Sequence, residues 1–116
     1  MISAGIIGGA GYTAGELIRL LINHPDVEIA FVNSSSNAGN KITDVHSGLY
    51  GETDLVFTDQ LPFSEIDVLF FCTAHGDTKK FIESHVFQIS NRCSYYIKHL
   101  SPALLYFLTY FFYSSF

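Results

Sequence analysis

The run Gly8-Gly9-Ala10-Gly11-Tyr12-Thr13-Ala14-Gly15 holds the residue types and spacing that most directly suggest chemistry. Glycines closely spaced at the end of an apolar run allow a tight turn, and a backbone without Cβ atoms admits a phosphate to close range. Gly8 would make the turn and Gly11 would let the pyrophosphate of a dinucleotide approach. Ala14 and Gly15 are small enough for the following helix to pack near the strand. The N–H groups of Tyr12, Thr13 and Ala14 would then sit at a helix N-terminus, whose positive dipole end favours an anion. The spacing is Gly-x-x-Gly-x-x-Ala rather than Gly-x-Gly-x-x-Gly. A glycine turn that only packs a helix on a sheet would carry the same letters.

Such a turn works only between a strand and a helix. Ile2 to Ile7 is a continuous small and apolar run, as in a parallel strand buried on both faces. From Ala14 to Asn23 the pattern is helical, with Leu17, Leu20 and Leu21 on one stripe and Ile18 beside them. Thr13 is placed to be the N-cap, and Glu16 to complete a capping box. His24-Pro25 ends the helix, because proline disfavours helical backbone in the residue before it. Val27 to Val32 is rich in β-formers and makes the second strand of a βαβ unit.

The end of that second strand should read the cofactor. A carboxylate about twenty residues beyond the glycines would hold the ribose 2′-OH of NAD. Here the chain offers Asn33-Ser34-Ser35-Ser36-Asn37, with no acid and with three hydroxyls able to donate to a 2′-phosphate. NADP is therefore favoured, against the alternative of a serine-rich surface loop. Further on, Ile42 to His46 suggests a helical turn and residues 47–51 a loop. Leu55-Val56-Phe57 reads as a short third strand and Asp67 to Cys72 as a strongly buried fourth. Thr73-Ala74-His75-Gly76 then lies at the carboxyl edge of the sheet, where open α/β sheets bind ligands. Asp77 to His85 begins a helix with Phe81 and Ile82 as its apolar residues. The fold class is α/β: an incomplete Rossmann-type parallel sheet of about four strands with flanking helices. Its last strand, ending at Cys72, would have an open edge.

Bulk composition narrows the function classes. The chain has 116 residues, 48% of them hydrophobic, and a net charge of −5. That suits one small domain and argues against nucleic acid as a partner. Cys72 and Cys93 make no disulfide framework. No signal peptide is read, so a cytoplasmic location is expected. The histidines show no metal-ligand spacing; none is assigned a metal, and His24, His46, His85 and His99 are read as surface residues.

Taken together, Gly8 to Leu17, Asn23-His24-Pro25, Ser36-Asn37-Ala38-Gly39 and Ala74-His75-Gly76 resemble the N-acetyl-gamma-glutamyl-phosphate reductases over residues 2–85. The resemblance implies an NADPH-dependent oxidoreductase that makes N-acetylglutamate semialdehyde in arginine biosynthesis, working as a homo-oligomer. It puts His75 and Gly76 beside the nicotinamide, with His75 positioning the cofactor or serving the structure alone. The family often has an arginine where Ser35 stands and a lysine where Asn40 stands, beside Lys41, so the charge clamp on the 2′-phosphate is weaker here. Its nucleophilic cysteine lies in an Asn-Pro-Gly-Cys motif that this chain does not contain. Cys72, in a buried strand, and Cys93 do not inherit that role. No catalytic residue is assigned.

The chain changes character near residue 86. Every Asp and Glu lies at or before Glu83 and every Gly at or before Gly76, while about half of the aromatics follow residue 86. Residues 86–116 therefore read as an atypical hydrophobic tail, the product of a frameshift or truncation after an NADP-binding unit of residues 1–85. The competing reading is a non-catalytic Rossmann-like binding module with a C-terminal membrane anchor, since residues 99–116 carry no Asp, Glu, Lys or Arg. Against it, a span needs roughly 20 mainly apolar residues, and this run contains Pro102 and several hydroxyls. A helix over residues 102–113 is the tail's expected structure.

Overall fold

A computed structural model describes residues 1–73, 75–92 and 95–97, with the backbone alone for 75, 76, 86–92 and 95–97. Four strands form one parallel sheet in the order β2-β1-β3-β4: β1 is Ile2–Ile7, β2 Val27–Asn33, β3 Val68–Phe71 and β4 Tyr95–Ile97. The helices are α1 (Tyr12–Ile22), the single turn α2 (Ile42–Val45) and α3 (His75–Arg92).

Side-chain alternation along the strands explains why the sheet is covered on both faces. On one face Ala4, Ile6, Val32 and Phe70 pack with Ala14, Leu17, Ile18 and Leu21 of α1. On the other face Ile7, Phe31, Leu69 and Phe71 pack with Phe63 and Ile66, and Phe81 and Ile82 of α3 lie against them. A period of two in the strands and a stripe in each helix thus generate three layers. Burial of Leu17, Ile18 and Leu21 contributes roughly 1.5–3 kcal/mol for each side chain. The buried stripe of α1 is Ala14, Leu17, Ile18 and Leu21; Leu20, expected on it, is only partly buried, Ile18, expected beside it, is fully buried, and Arg19 lies outside it, exposed.

Four expectations are corrected. Thr13 is not the N-cap: α1 starts one residue earlier, with Gly11 as N-cap and no side-chain cap. Glu16 bonds Arg19 at 2.8 Å instead of reaching back to close a capping box. Leu55–Phe57 is not a strand. Its neighbours split its pairing into isolated bridges, Lys41 with Val56 antiparallel and Asn33 with Thr58 parallel. Phe57 nonetheless sinks into the α1-side core at 1% exposure, while Val56 points outward at 46%. The strand after the glycine-turn βαβ unit is therefore β3, at Val68–Phe71.

The far edge of β3 is also not open, because β4 pairs with it in parallel, Val68 opposite Tyr95 and Phe70 opposite Ile97. The helix before β4 runs His75–Arg92 as one element, with non-helical backbone at His85 (φ −124°, ψ 17°). The backbone thus continues the alternation of strand and helix past residue 86. The proposed helix over 102–113, the anchor reading of residues 99–116, Cys93 and His99 lie outside the described residues. Among the described residues no helix is long and apolar enough to cross a membrane.

Candidate dinucleotide site

The connection from β1 to β2 runs to one side of β1, and the chain then returns to place β3 on the other side. That reversal opens a crevice beyond the carboxyl ends of β1 and β3, the place where open α/β sheets take ligands. A cavity of about 590 Å³ lies there. Ile7 and Gly8 of the glycine turn line it, with Asn33, Ser34, Ser35 and Ser36 from the end of β2. Leu61, Phe81 and His85 form an apolar and aromatic wall, and Thr73, Asp59 and Asp77 complete the lining.

The glycine turn is held by contacts on several sides. Gly8 has φ +78°, and a Cβ there would stand 2.6 Å from Thr73 Cγ2 and 3.1 Å from the Cys72 carbonyl group. Both conformation and space therefore require glycine at Gly8. The Gly9 N–H donates to the Asn33 carbonyl at 2.8 Å, tying the turn to the end of β2. The Gly9 carbonyl accepts from His46 Nε2 at 2.7 Å. Gly11 differs from its neighbours. It is exposed, with φ −78°, and a Cβ there would meet nothing within 4 Å. Nothing in the protein's own packing asks for glycine at Gly11, whereas a phosphate approaching the uncapped first turn of α1 would.

The other residues expected at the site divide into three groups. Tyr12 is 80% exposed at the start of α1, and Thr13 is partly buried beside it. Ala14 is wholly buried in the core, so its methyl packs the helix on the sheet and only its N–H belongs to the first turn. At the end of β2, Ser34 is buried and accepts from Asn37 Nδ2 at 3.2 Å, while the same amide reaches Ser36 Oγ at 3.3 Å. Asn37 is thus a brace for the serine loop, and Ser35 and Ser36 are the exposed hydroxyls. His75 and Gly76 open α3 just after β3, which puts their backbone at the carboxyl edge of the sheet.

Five residues at the site escaped the sequence reading. His46 holds the glycine turn from 37 positions away, and no local pattern signals that contact. It is partly buried, with its ring tilted against Phe57 at 6.2 Å, so its reading as a surface residue is corrected. His85 is likewise partly buried: it stacks on Phe81 at 4.3 Å and bonds the Phe81 carbonyl through Nδ1 at 3.0 Å. Phe81, an apolar residue of its helix, also lines the cavity. Asp59 and Asp77 bring two carboxylates to a cavity with no Lys or Arg among its described lining residues. Asp59 reaches the serines because Ser34 N–H donates to the Thr58 carbonyl at 3.1 Å.

Cys72 follows β3 as a free thiol, and burial pushes its pKa up to about 12. A thiol held neutral in this way is a poor nucleophile, as read from the sequence. Among the described residues no group of three or more His, Cys, Asp or Glu is arranged to hold a metal ion.

Fold and crevice together define a Rossmann-type nucleotide-binding domain. The profile described as "Semialdehyde dehydrogenase, NAD binding domain" matches residues 3–91, and the chain belongs to that family. The chain is similar to N-acetyl-gamma-glutamyl-phosphate reductase of Phocaeicola vulgatus, with 88% identity over 85 residues, covering 73% of this chain and 26% of that protein. The Bacteroides thetaiotaomicron protein of the same name is 85% identical over the same shares. This chain therefore spans about a quarter of the length of these relatives. Among solved structures, an aspartate semialdehyde dehydrogenase with NADP from Candida albicans matches with a TM-score of 0.65 and 28% identity. That match covers 76% of this chain and 27% of the other.

Proposed function

We propose that residues 1–85 are the NADP-binding unit of an N-acetyl-gamma-glutamyl-phosphate reductase. The carrying observation is Gly11: an exposed N-cap with open space where its Cβ would be, at the uncapped start of α1, in the turn whose Gly8 lines the crevice. In this reading the N–H groups of Tyr12, Thr13 and Ala14 receive the pyrophosphate, with Gly8 shaping the turn that presents them. Ser35 and Ser36 donate to the 2′-phosphate, while Ser34 and Asn37 hold their loop in place. The backbone of His75 and Gly76 borders the nicotinamide end. The matching solved relative was crystallised with NADP, which supports the choice of cofactor.

The complete reaction would be NADPH-dependent reduction of N-acetylglutamyl phosphate to the semialdehyde, in the cytoplasm and within a homo-oligomer. This chain has no Asn-Pro-Gly-Cys segment, so it should bind cofactor without turning over substrate. The composition change near residue 86 supports a frame change there. A reading frame shifted after codon 85 that encodes Asn-Pro-Gly-Cys downstream would establish it; its absence would refute it. Titration with NADPH and NADH tests the binding reading: NADPH should bind more tightly, and Gly11→Val should abolish both. Tighter NADH binding would overturn the cofactor assignment.

A further inference from the structure

We propose that His46 is a positioning residue that clasps the glycine turn in its phosphate-binding shape. The inference rests on the dinucleotide reading of that turn and assigns the site a residue from outside the β1–α1–β2 unit. Gly9 carries the turn through its two peptide groups. Its N–H is fixed by the Asn33 carbonyl at 2.8 Å, and its carbonyl is fixed by His46 Nε2 at 2.7 Å. With both groups anchored, the turn is held between the end of β2 and the loop after α2. A carbonyl can only accept, so the neutral imidazole must carry its proton on Nε2.

Three features make His46 a fitted part rather than a chance neighbour. Its ring lies against Phe57, which is itself buried in the core, with centroids 6.2 Å apart. The short helix α2 places it there through Ile42, which is fully buried and receives the His46 N–H on its carbonyl at 2.8 Å. The opposite edge of the ring faces Gly15, where an added Cβ would stand 2.6 Å from Nδ1 and 3.0 Å from Cε1. A side chain at Gly15 would therefore meet His46 first. The clasp joins Gly9 and Gly15, residues on either side of the phosphate-facing N–H groups.

Equilibrium titration of the full chain with NADPH, beside thermal unfolding, tests the clasp. His46→Ala should weaken binding about 3–10-fold, the value of one neutral hydrogen bond, with a smaller relative effect on unfolding. His46→Gln, which can present an N–H to the same carbonyl, should recover most of the affinity. Gly15→Ala, whose Cβ would push the ring off Gly9, should weaken binding as much as His46→Ala, with a melting temperature no lower than that of His46→Ala because alanine favours the helix interior. The double variant should be no worse than either single one. Unchanged affinity in His46→Ala, no recovery in His46→Gln, or additive losses in the double variant would overturn the proposal.

The bond is also read without ligand, from the imidazole nitrogen-15 signals of His46. A proton on Nδ1 alone would overturn the clasp whatever NADPH does. If the unsubstituted chain bound no NADPH, the dinucleotide reading would fall separately. An Nε2 proton, with amide exchange at Gly9 to Tyr12 accelerated by His46→Ala and exchange in β3 unchanged, would still uphold the clasp.

Discussion

Replacing Gly8 and Gly11 with alanine, one at a time, should give opposite results although both lie in one turn. At Gly8 the backbone has φ +78°, and an added Cβ would stand 2.6 Å from Thr73 Cγ2 and 3.1 Å from the carbonyl group of Cys72. Left-handed backbone costs a non-glycine residue about 1–2 kcal/mol. Forcing a methyl into occupied space adds about 1–3 kcal/mol, and here part of the obstacle is backbone at the end of β3, which cannot rotate away. The sum is about 2–5 kcal/mol, a large share of the ~5–15 kcal/mol that holds a small domain folded. At Gly11 the backbone is at φ −78° and a Cβ meets nothing within 4 Å. The modest N-cap penalty of alanine and the roughly 0.4–1 kcal/mol gained by restricting the unfolded chain nearly cancel. Thermal unfolding should then show Gly8→Ala melting about 10 °C or more below the parent and Gly11→Ala within about 3 °C of it. Equal destabilisation by the two substitutions would refute the division of the turn into a structural glycine and a ligand-facing one.

Other outcomes follow from the same structure. Phe57→Ala should lower the unfolding free energy by about 3–5 kcal/mol, read from denaturant midpoints, since Phe57 is core although its segment is not a strand. A loss under 1 kcal/mol would mean that the segment does not pack as described. Asp59→Asn should improve NADPH binding relative to NADH by roughly 2–10-fold, because it removes a carboxylate from the cavity that holds Ser35 and Ser36. An unchanged ratio would place the 2′-phosphate elsewhere. With Cys93 replaced by serine, Cys72 should resist thiol reagents at pH 8 until the chain is unfolded, its thiol being raised from 9.0 to about 12 by burial. The neutral thiol is the form the fold favours, so this contribution to stability is full below pH 9.0 and is lost as pH rises toward about 12. Rapid labelling of the folded chain would contradict it.

What the sequence made legible was mostly local. The glycine turn, the α1 stripe, β2 and the buried β3 each announce themselves within a few residues, through apolar periodicity and turn chemistry. The N-cap was misplaced because Thr13 and Glu16 fit a capping box that competes with the Glu16–Arg19 pair. Leu55–Phe57 has strand composition, yet its hydrogen bonds go to residues 39–42, and pairing with the end of β2 begins only at Thr58, a division only tertiary context decides. The same holds at the site. The exposed position of Ser35 and Ser36 at the end of β2 was readable, but Asp59 enters the same cavity through a bridge between Asn33 and Thr58. His46 and His85, read as surface residues, are set by contacts with Gly9 and Phe81 that no spacing rule encodes. Backbone pairing of β4 with β3 was likewise invisible, because the composition after residue 86 departs from what precedes it.

On the proposed function, the turn from Gly8 to Ala14 receives the phosphates of NADPH. Titration of the full chain with NADPH, followed by the cofactor's fluorescence and repeated with Gly11→Val, tests it most directly. The parent chain should bind saturably and Gly11→Val not at all, with the two unfolding at nearly the same temperature. Undiminished NADPH binding by a folded Gly11→Val variant would contradict it, and so would a folded parent chain that binds no NADPH.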